Sequence, residues 1–214
     1  MTEQIIDPVT DAATGAPARI ITHPGASVRR AFTQDELGWL PWLEPADEAS
    51  LSERQYEGLV DRSRAKSDYF RLLVRDPDIL KARTLTDKDI FYNAADGLPR
   101  AERELAAAAT SRFNGCIFCA SVHARFATHH SKRHDDLQRL LDDGVDAVQD
   151  AAWRAVIDAA VALAATPPRL DASRLDALRA SGFDEQAVSD VIHSAAFFNW
   201  ANRLMLSLGE PDQA

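Results

Sequence analysis

Cysteine is almost missing from this chain, with two in 214 residues beside two methionines. That scarcity excludes a small domain stapled by a disulfide framework, which needs several cysteine pairs. A basic excess is missing too: 24 Lys and Arg face 33 Asp and Glu, giving a formal charge of −9 and a pI ≈ 5.1. Such a balance argues against a surface built for nucleic acid or an anionic membrane. No apolar run approaches the ~20 residues of a transmembrane helix. The opening stretch MTEQIIDPVTDAATG lacks the basic and apolar regions of a secretory signal, so the expected compartment is the cytoplasm. There a close pair of cysteines more often means metal or redox chemistry than a structural disulfide. Phosphate loops, nucleotide-binding glycine fingerprints and serine-nucleophile motifs are absent, and nothing indicates flavin, haem or another cofactor.

What is present is enough apolar residue, 46%, for a sizeable core in one domain with an arm. Residues 1–31 are rich in Thr, Ala, Pro, Asp and Gly and read as an extended or disordered arm that could lie over a neighbouring subunit. Their only strand-like piece is 19–22. FTQDELGWLPWLEP follows, with Phe32, Trp39 and Trp42 crowded together. Pro41 and Pro45 stop it from forming a long helix, and its aromatic surface must be buried in the core or at a subunit contact.

From residue 50 the pattern is helical nearly throughout. Ser52 and Gln55 have the capping-box spacing, and Asp76-Pro77 supplies an N-cap and a first-turn proline. Pro99 opens a helix through the alanines 106–109, and Asn114-Gly115 reads as its end. Apolar residues at three-to-four spacing mark helices at 137–141, at 153–164 up to Pro167-Pro168, at 175–178 and from Asp184 to Leu208. No βαβ alternation occurs. The expected fold is all-α: a multi-helix bundle over 32–214 with the arm in front.

Both cysteines fall within NGCIFCASVH, as Cys116-x-x-Cys119 with His123 beyond. On a helix starting near Cys116 the three share one face at i, i+3 and i+7. His123 can reach Cys119 across one turn and take its proton or stabilise its anion. The helix start lowers thiol pKa as well, which favours Cys116 as the more acidic thiol. Two thiols three residues apart can close a disulfide once one is oxidised, which suffices for a peroxidatic or disulfide-exchange cycle. Zinc would need Cys116, Cys119, His123 and one of His129, His130 or His134, all crowded into one helix and its exit, whereas structural zinc usually draws on two segments. Simple packing is the bland alternative, since free cysteines often behave as small hydrophobes. Glu104, on the preceding helix, can approach the cysteines if the two helices form a hairpin, and could then hold His123. Its alternative is a solvated helix start beside Glu102 and Arg103. His193 and Asn199, on an aromatic-rich last helix, are weaker candidates for lining a pocket.

Glu104, eleven intervening residues, then Cys116-x-x-Cys119-x-x-x-His123, resembles the motif of the carboxymuconolactone decarboxylase and alkylhydroperoxidase D-like superfamily. PRAERELAAAATSRFNGCIFCASVH is similar to its peroxidase-related branch. The resemblance implies a helical fold assembling as trimers or hexamers, and a peroxidase reducing organic hydroperoxides. It also implies that Cys119 is the peroxidatic thiol, Cys116 the resolving one, and His123 and Glu104 a proton relay. The implied partners are a hydroperoxide and an external dithiol or lipoyl-type reductant. Phe118 departs from the pattern: peroxidases of established activity in this family carry a histidine there. Phenylalanine passes no proton, so a redox-sensing or disulfide-relay protein is the alternative.

Overall fold

The computed structural model describes residues 20–93 and 95–213. Among these the chain runs through β1 (Leu37–Pro41), α1 (Glu53–Leu59), α2 (Asp68–Leu73), α3 (Pro77–Tyr92), α4 (Arg100–Asn114) and α5 (Ile117–Ser131). It continues through α6 (His134–Asp143), α7 (Ala151–Ala164), α8 (Ala172–Ala180), α9 (Glu185–Leu208) and β2 (Gly209–Gln213). Side chains start most of these helices. The capping box closes between Ser52 and Gln55 at α1, and Asp76 accepts the Ile79 amide with Pro77 in the first turn of α3. Asp150, Asp171 and Asp184 cap α7, α8 and α9 in the same way, each accepting a backbone amide that the helix start would otherwise leave unpaired.

The centre is α4. Every residue from Ala101 to Ser111 except Glu102 is buried, and α5, α7 and α9 pack around it. Ala106 to Ala109 are fully enclosed, so the small side chains let the neighbouring helices approach closely. Leu105, Leu137, Leu140, Leu141, Val156 and Ile157 fill the main core beside them. Truncating one such leucine to alanine typically costs about 2–5 kcal/mol.

Gly115 ends α4 with φ +82, a left-handed conformation that glycine adopts without a Cβ penalty. The chain then reverses into α5, making the α4–α5 hairpin that the position of Glu104 required. A buried polar link holds this turn to α9. Asn114 Nδ2 donates to Asn202 Oδ1 at 3.1 Å, and Asn202 Nδ2 donates to Ser111 Oγ at 3.0 Å.

The all-α expectation holds for the body, with one addition. β1 and β2 pair antiparallel, from Leu37 opposite Gln213 to Pro41 opposite Gly209. Residues 20–22 form no strand, and Arg19 lies with the rest of 1–19 outside the described residues. The part of the arm that is described lies along this chain's own strand pair: Ile21 donates its amide to the Trp42 carbonyl at 2.8 Å, and Val28 bridges to Asp212. Of the crowded aromatics, Trp39 packs edge-on to Tyr69 with ring centroids 5.4 Å apart, and Phe32 sits against the main core.

Candidate active site

The left-handed Gly115 delivers Cys116 to the N-cap position of α5, and the helix proper starts one residue later than the spacing suggested. Cys119 is therefore the third residue of the first turn, close to the positive end of the helix. The two sulfurs are joined as a disulfide, with Cα atoms 5.4 Å apart. Both cysteines are buried, yet only Cys119 borders the cavity described below. The helix start thus acts on Cys116 at the N-cap and on Cys119 in the first turn, and of the two only Cys119 faces the cavity.

His123 stands one turn further along α5. Its Nδ1 meets Glu104 Oε2 at 2.5 Å, leaving Nε2 as the nitrogen free to serve a thiol or ligand. The other carboxylate oxygen, Oε1, accepts from Arg100 Nε at 2.6 Å, and Arg100 also donates to the Phe91 carbonyl. Glu104 is only 1% exposed, which overturns the solvated-helix-start alternative. A carboxylate so deeply buried persists because Arg100 neutralises it and Arg100 and His123 fill its lone pairs. Two rings hold the imidazole in place, Phe198 at 3.9 Å and Phe91 at 5.3 Å between centroids.

These groups border a cavity of about 190 Å³ between α3, α5 and α9. Tyr69, Phe91, Phe118, Val122 and Phe198 form much of its wall, with Cys119 and His123 among them. Phe118 thus contributes apolar surface where the family pattern has a proton carrier. Burial pushes the Tyr69 phenol up from its ordinary value, outweighing the pull of the nearby Arg83 charge.

The structure brings Cys116, Cys119, His123 and Glu104 together. His193 is exposed, and Asn199 accepts a hydrogen bond from Asn114; neither borders the cavity. His129, His130 and His134 are set apart from the cysteines. His129 stands ten residues beyond Cys119 on α5, about 15 Å along the axis. Among the described residues no group of three His, Cys, Asp or Glu is arranged to hold a metal. Sequence reasoning overlooked Arg100, although its position four residues before Glu104 on a helix was a usable signal. Tyr69, Phe91 and Phe198 converge from distant segments and carried no such signal.

Residues 77–162, from α3 through most of α7, match the model of the carboxymuconolactone decarboxylase family. No curated protein matches the chain. Among solved structures, an uncharacterised peroxidase-related protein from Ralstonia eutropha JMP134, described as an alkylhydroperoxidase AhpD core, superposes with a TM-score of 0.64 at 20% identity. The match covers 87% of this chain and 92% of that one. A peroxidase-related protein from Silicibacter sp. TM1040 gives 0.62 at 22% identity, over 74% and 84%. The debrominase Bmp8 gives 0.60 at 19% identity, over 77% and 88%, and a variant of it was solved with 2,3,4-tribromopyrrole. At these identities the neighbours establish the helical fold alone.

Proposed function

We propose that this chain is a thiol-dependent peroxidase that reduces organic hydroperoxides. The observation that carries the reading is the buried Arg100–Glu104–His123 chain, which ends at the cavity that Cys119 borders. With the disulfide reduced, His123 Nε2 takes the Cys119 proton, and Glu104 stabilises the imidazolium through Nδ1. The thiolate attacks the distal oxygen of ROOH. An S–O bond forms, the O–O bond breaks, and the leaving alkoxide takes the proton from His123 to depart as ROH. Cys119 is then a sulfenic acid. Cys116, buried and off the cavity, attacks it, forming the disulfide and releasing water. An external dithiol or lipoyl-type group supplies two electrons and two protons to restore both thiols. Phe118 removes one proton carrier, and the Glu104–His123 pair is the shortened relay that remains.

Homo-oligomeric assembly and a cytoplasmic setting belong to the same reading. The exposed Leu43, Ile79 and Trp200 around one apolar groove support the first. No helix among the described residues is long and apolar enough to cross a membrane.

A second reading, reductive removal of halogen from an aromatic ring, draws on the debrominase neighbours and the aromatic wall of the cavity. The electrons would come from the same two thiols: Ar–X and two thiols give Ar–H, HX and the disulfide.

Stopped-flow oxidation of the reduced protein by an organic hydroperoxide decides between these. The peroxidase reading expects rapid loss of two thiols in wild type, one trapped sulfenic acid in Cys116→Ser and no fast reaction in Cys119→Ser. Oxidation no faster than that of a free thiol defeats it. Halide release from a bromoaromatic would then favour dehalogenation, and activity toward neither substrate would leave the disulfide relay.

A further inference from the structure

We propose that the cavity takes a substrate with an anionic head, a carboxylate on an apolar body, and that Arg83 receives the carboxylate. This inference rests on the peroxidase reading for what happens at the other end of the substrate, and its test does not.

The three arginines around α3 and α4 are neutralised very differently. Arg103 spends its donors on carbonyls and Asp190, and Arg100 is engaged by Glu104 and the Phe91 carbonyl. Arg83 also borders the cavity, and its side chain is only 9% exposed. Its Nε is buried without a hydrogen-bond partner among the described residues. Its nearest carboxylate, Asp87, stands at 3.6 Å, beyond hydrogen-bond reach, and keeps 18% exposure. The Tyr69 hydroxyl beside it accepts from one of its donors but offsets none of its charge. The guanidinium rests instead over Phe70 and Phe197, 5.7 and 5.3 Å from the ring centroids. A desolvated guanidinium held by ring faces, with Nε unpaired, has in-plane donors left for a planar, bidentate acceptor.

The local charge adds to this. Arg64 lies over Phe70 as well, 4.7 Å from its centroid. Burial, with repulsion from Arg83, draws the Arg64 guanidinium below its ordinary range. Asp87 and Asp61 both face Arg64, so Asp87 divides its attraction between Arg64 and Arg83.

Position along α3 sets the length of the ligand. Arg83, Asp87 and Phe91 follow one another at four-residue spacing, and Phe91 packs against His123. Eight residues of helix span about 12 Å. A carboxylate on Arg83 therefore leaves room for an apolar stretch, lying along the aromatic wall, before the reacting oxygen reaches Cys119. In chemical terms the substrate is the hydroperoxide of an aromatic or medium-chain carboxylic acid.

The test is equilibrium binding by calorimetry to the oxidised protein, which cannot turn over. The probes are 2-naphthoate and the matching alcohol, 2-naphthalenemethanol. The expected result is binding of the carboxylate at least tenfold tighter than the alcohol, with that preference falling below threefold in Arg83→Met and partly restored in Arg83→Lys. Equal affinities in wild type, or a preference that survives in Arg83→Met, overturn the proposal. Should Arg83→Met fail to fold, Asp87→Asn decides: removal of the competing carboxylate tightens naphthoate binding severalfold if the proposal holds, and unchanged or weaker binding defeats it. Because no thiol reacts in these measurements, a failed peroxidase assay would not alter what they say about Arg83.

Discussion

Two regions at the start of α4 each bury a charge, and they neutralise it by different means. Arg103 ties the end of α3 to the start of α4: Nη1 donates to the carbonyls of Ile90 and Asn93, Nη2 to the Asp96 carbonyl and to Asp190 Oδ2 on α9, and Nε to the Leu98 carbonyl. Every partner there is a fixed acceptor, and Asp190 also receives the Leu98 amide at 2.8 Å. One residue on, Glu104 is shared between Arg100 and an imidazole whose second nitrogen is uncommitted. Saturation by main-chain carbonyls gives a knot that holds a loop. A carboxylate shared with an imidazole beside a cavity gives a pair that can pass a proton. Burial and charge alone do not distinguish the two; the nature of the partner does.

Arg103→Met should separate the regions most strongly. It strands several buried carbonyls and Asp190, and breaking a buried charge network from one side typically costs about 3–5 kcal/mol. Urea unfolding should register that loss, while thiol oxidation per folded molecule stays close to wild type. A variant as stable as wild type would mean that the loop finds other donors and that the knot is ornamental.

Glu104→Gln should reverse the pattern. The amide keeps the volume, and Arg100 reaches solvent, so the loss of stability should be smaller than for Arg103→Met. Thiol oxidation by hydroperoxide should fall on the order of a hundredfold, as expected when a positioned proton-transfer group is disabled. Equal losses of stability in both variants would erase the distinction.

Asn202→Ala tests an intermediate case, neutral and structural but tied to the cysteine turn through Asn114. Removing its bonds to Asn114 and Ser111, which keep Asn199 and the Ala107 carbonyl as partners, should cost about 1 kcal/mol by denaturant titration.

The smallest effect belongs to a charge at the surface. The Asp150 carboxyl sits below the usual carboxylate range because it accepts the Trp153 amide and, beyond that, pairs with Arg133. A depressed folded pKa contributes stability that is complete above the unfolded value of about 4 and is lost as pH falls through the lower folded value. Asp150→Asn should therefore be slightly less stable than wild type at pH 7, by well under 1 kcal/mol given solvent screening. The gap should close as the pH falls through the lowered folded value. Melting temperatures measured from pH 7 to pH 2.5 would check this, and a gap that widens in acid would contradict it.

The helical body was legible because its punctuation is local. Asp76-Pro77, Ser52 with Gln55, and Gly115 each act within a few residues, and each does what its chemistry suggests. Cys116, Cys119 and His123 were legible for the same reason, as one face of one helix. The strand pair was not. GEPDQ contains no β-branched or aromatic residue, and it becomes a strand only because β1 offers it an edge. Nor was the depth of α4: flanked by Glu102 and Arg103, Glu104 looks like part of a solvated helix start. Its burial follows from neighbours on α3 and α5 that no local pattern announces. Arg100 lay between these cases, within helical reach of Glu104 but without a partner to give it meaning until the hairpin closed.

The ring of Phe198 stands 3.9 Å from that of His123, at 65° to it. At that separation each ring lies inside the other's induced magnetic field, so the carbon-bound protons of His123 should resonate away from the positions of a free imidazole. The sense of that displacement would tell which ring presents its face and which its edge. Breaking the disulfide or filling the cavity would shift Phe198 or the imidazole, and the resonance would move with either. The packing that fixes the histidine thus also labels it, giving the buried site a magnetic signature that can be followed in solution without adding a probe.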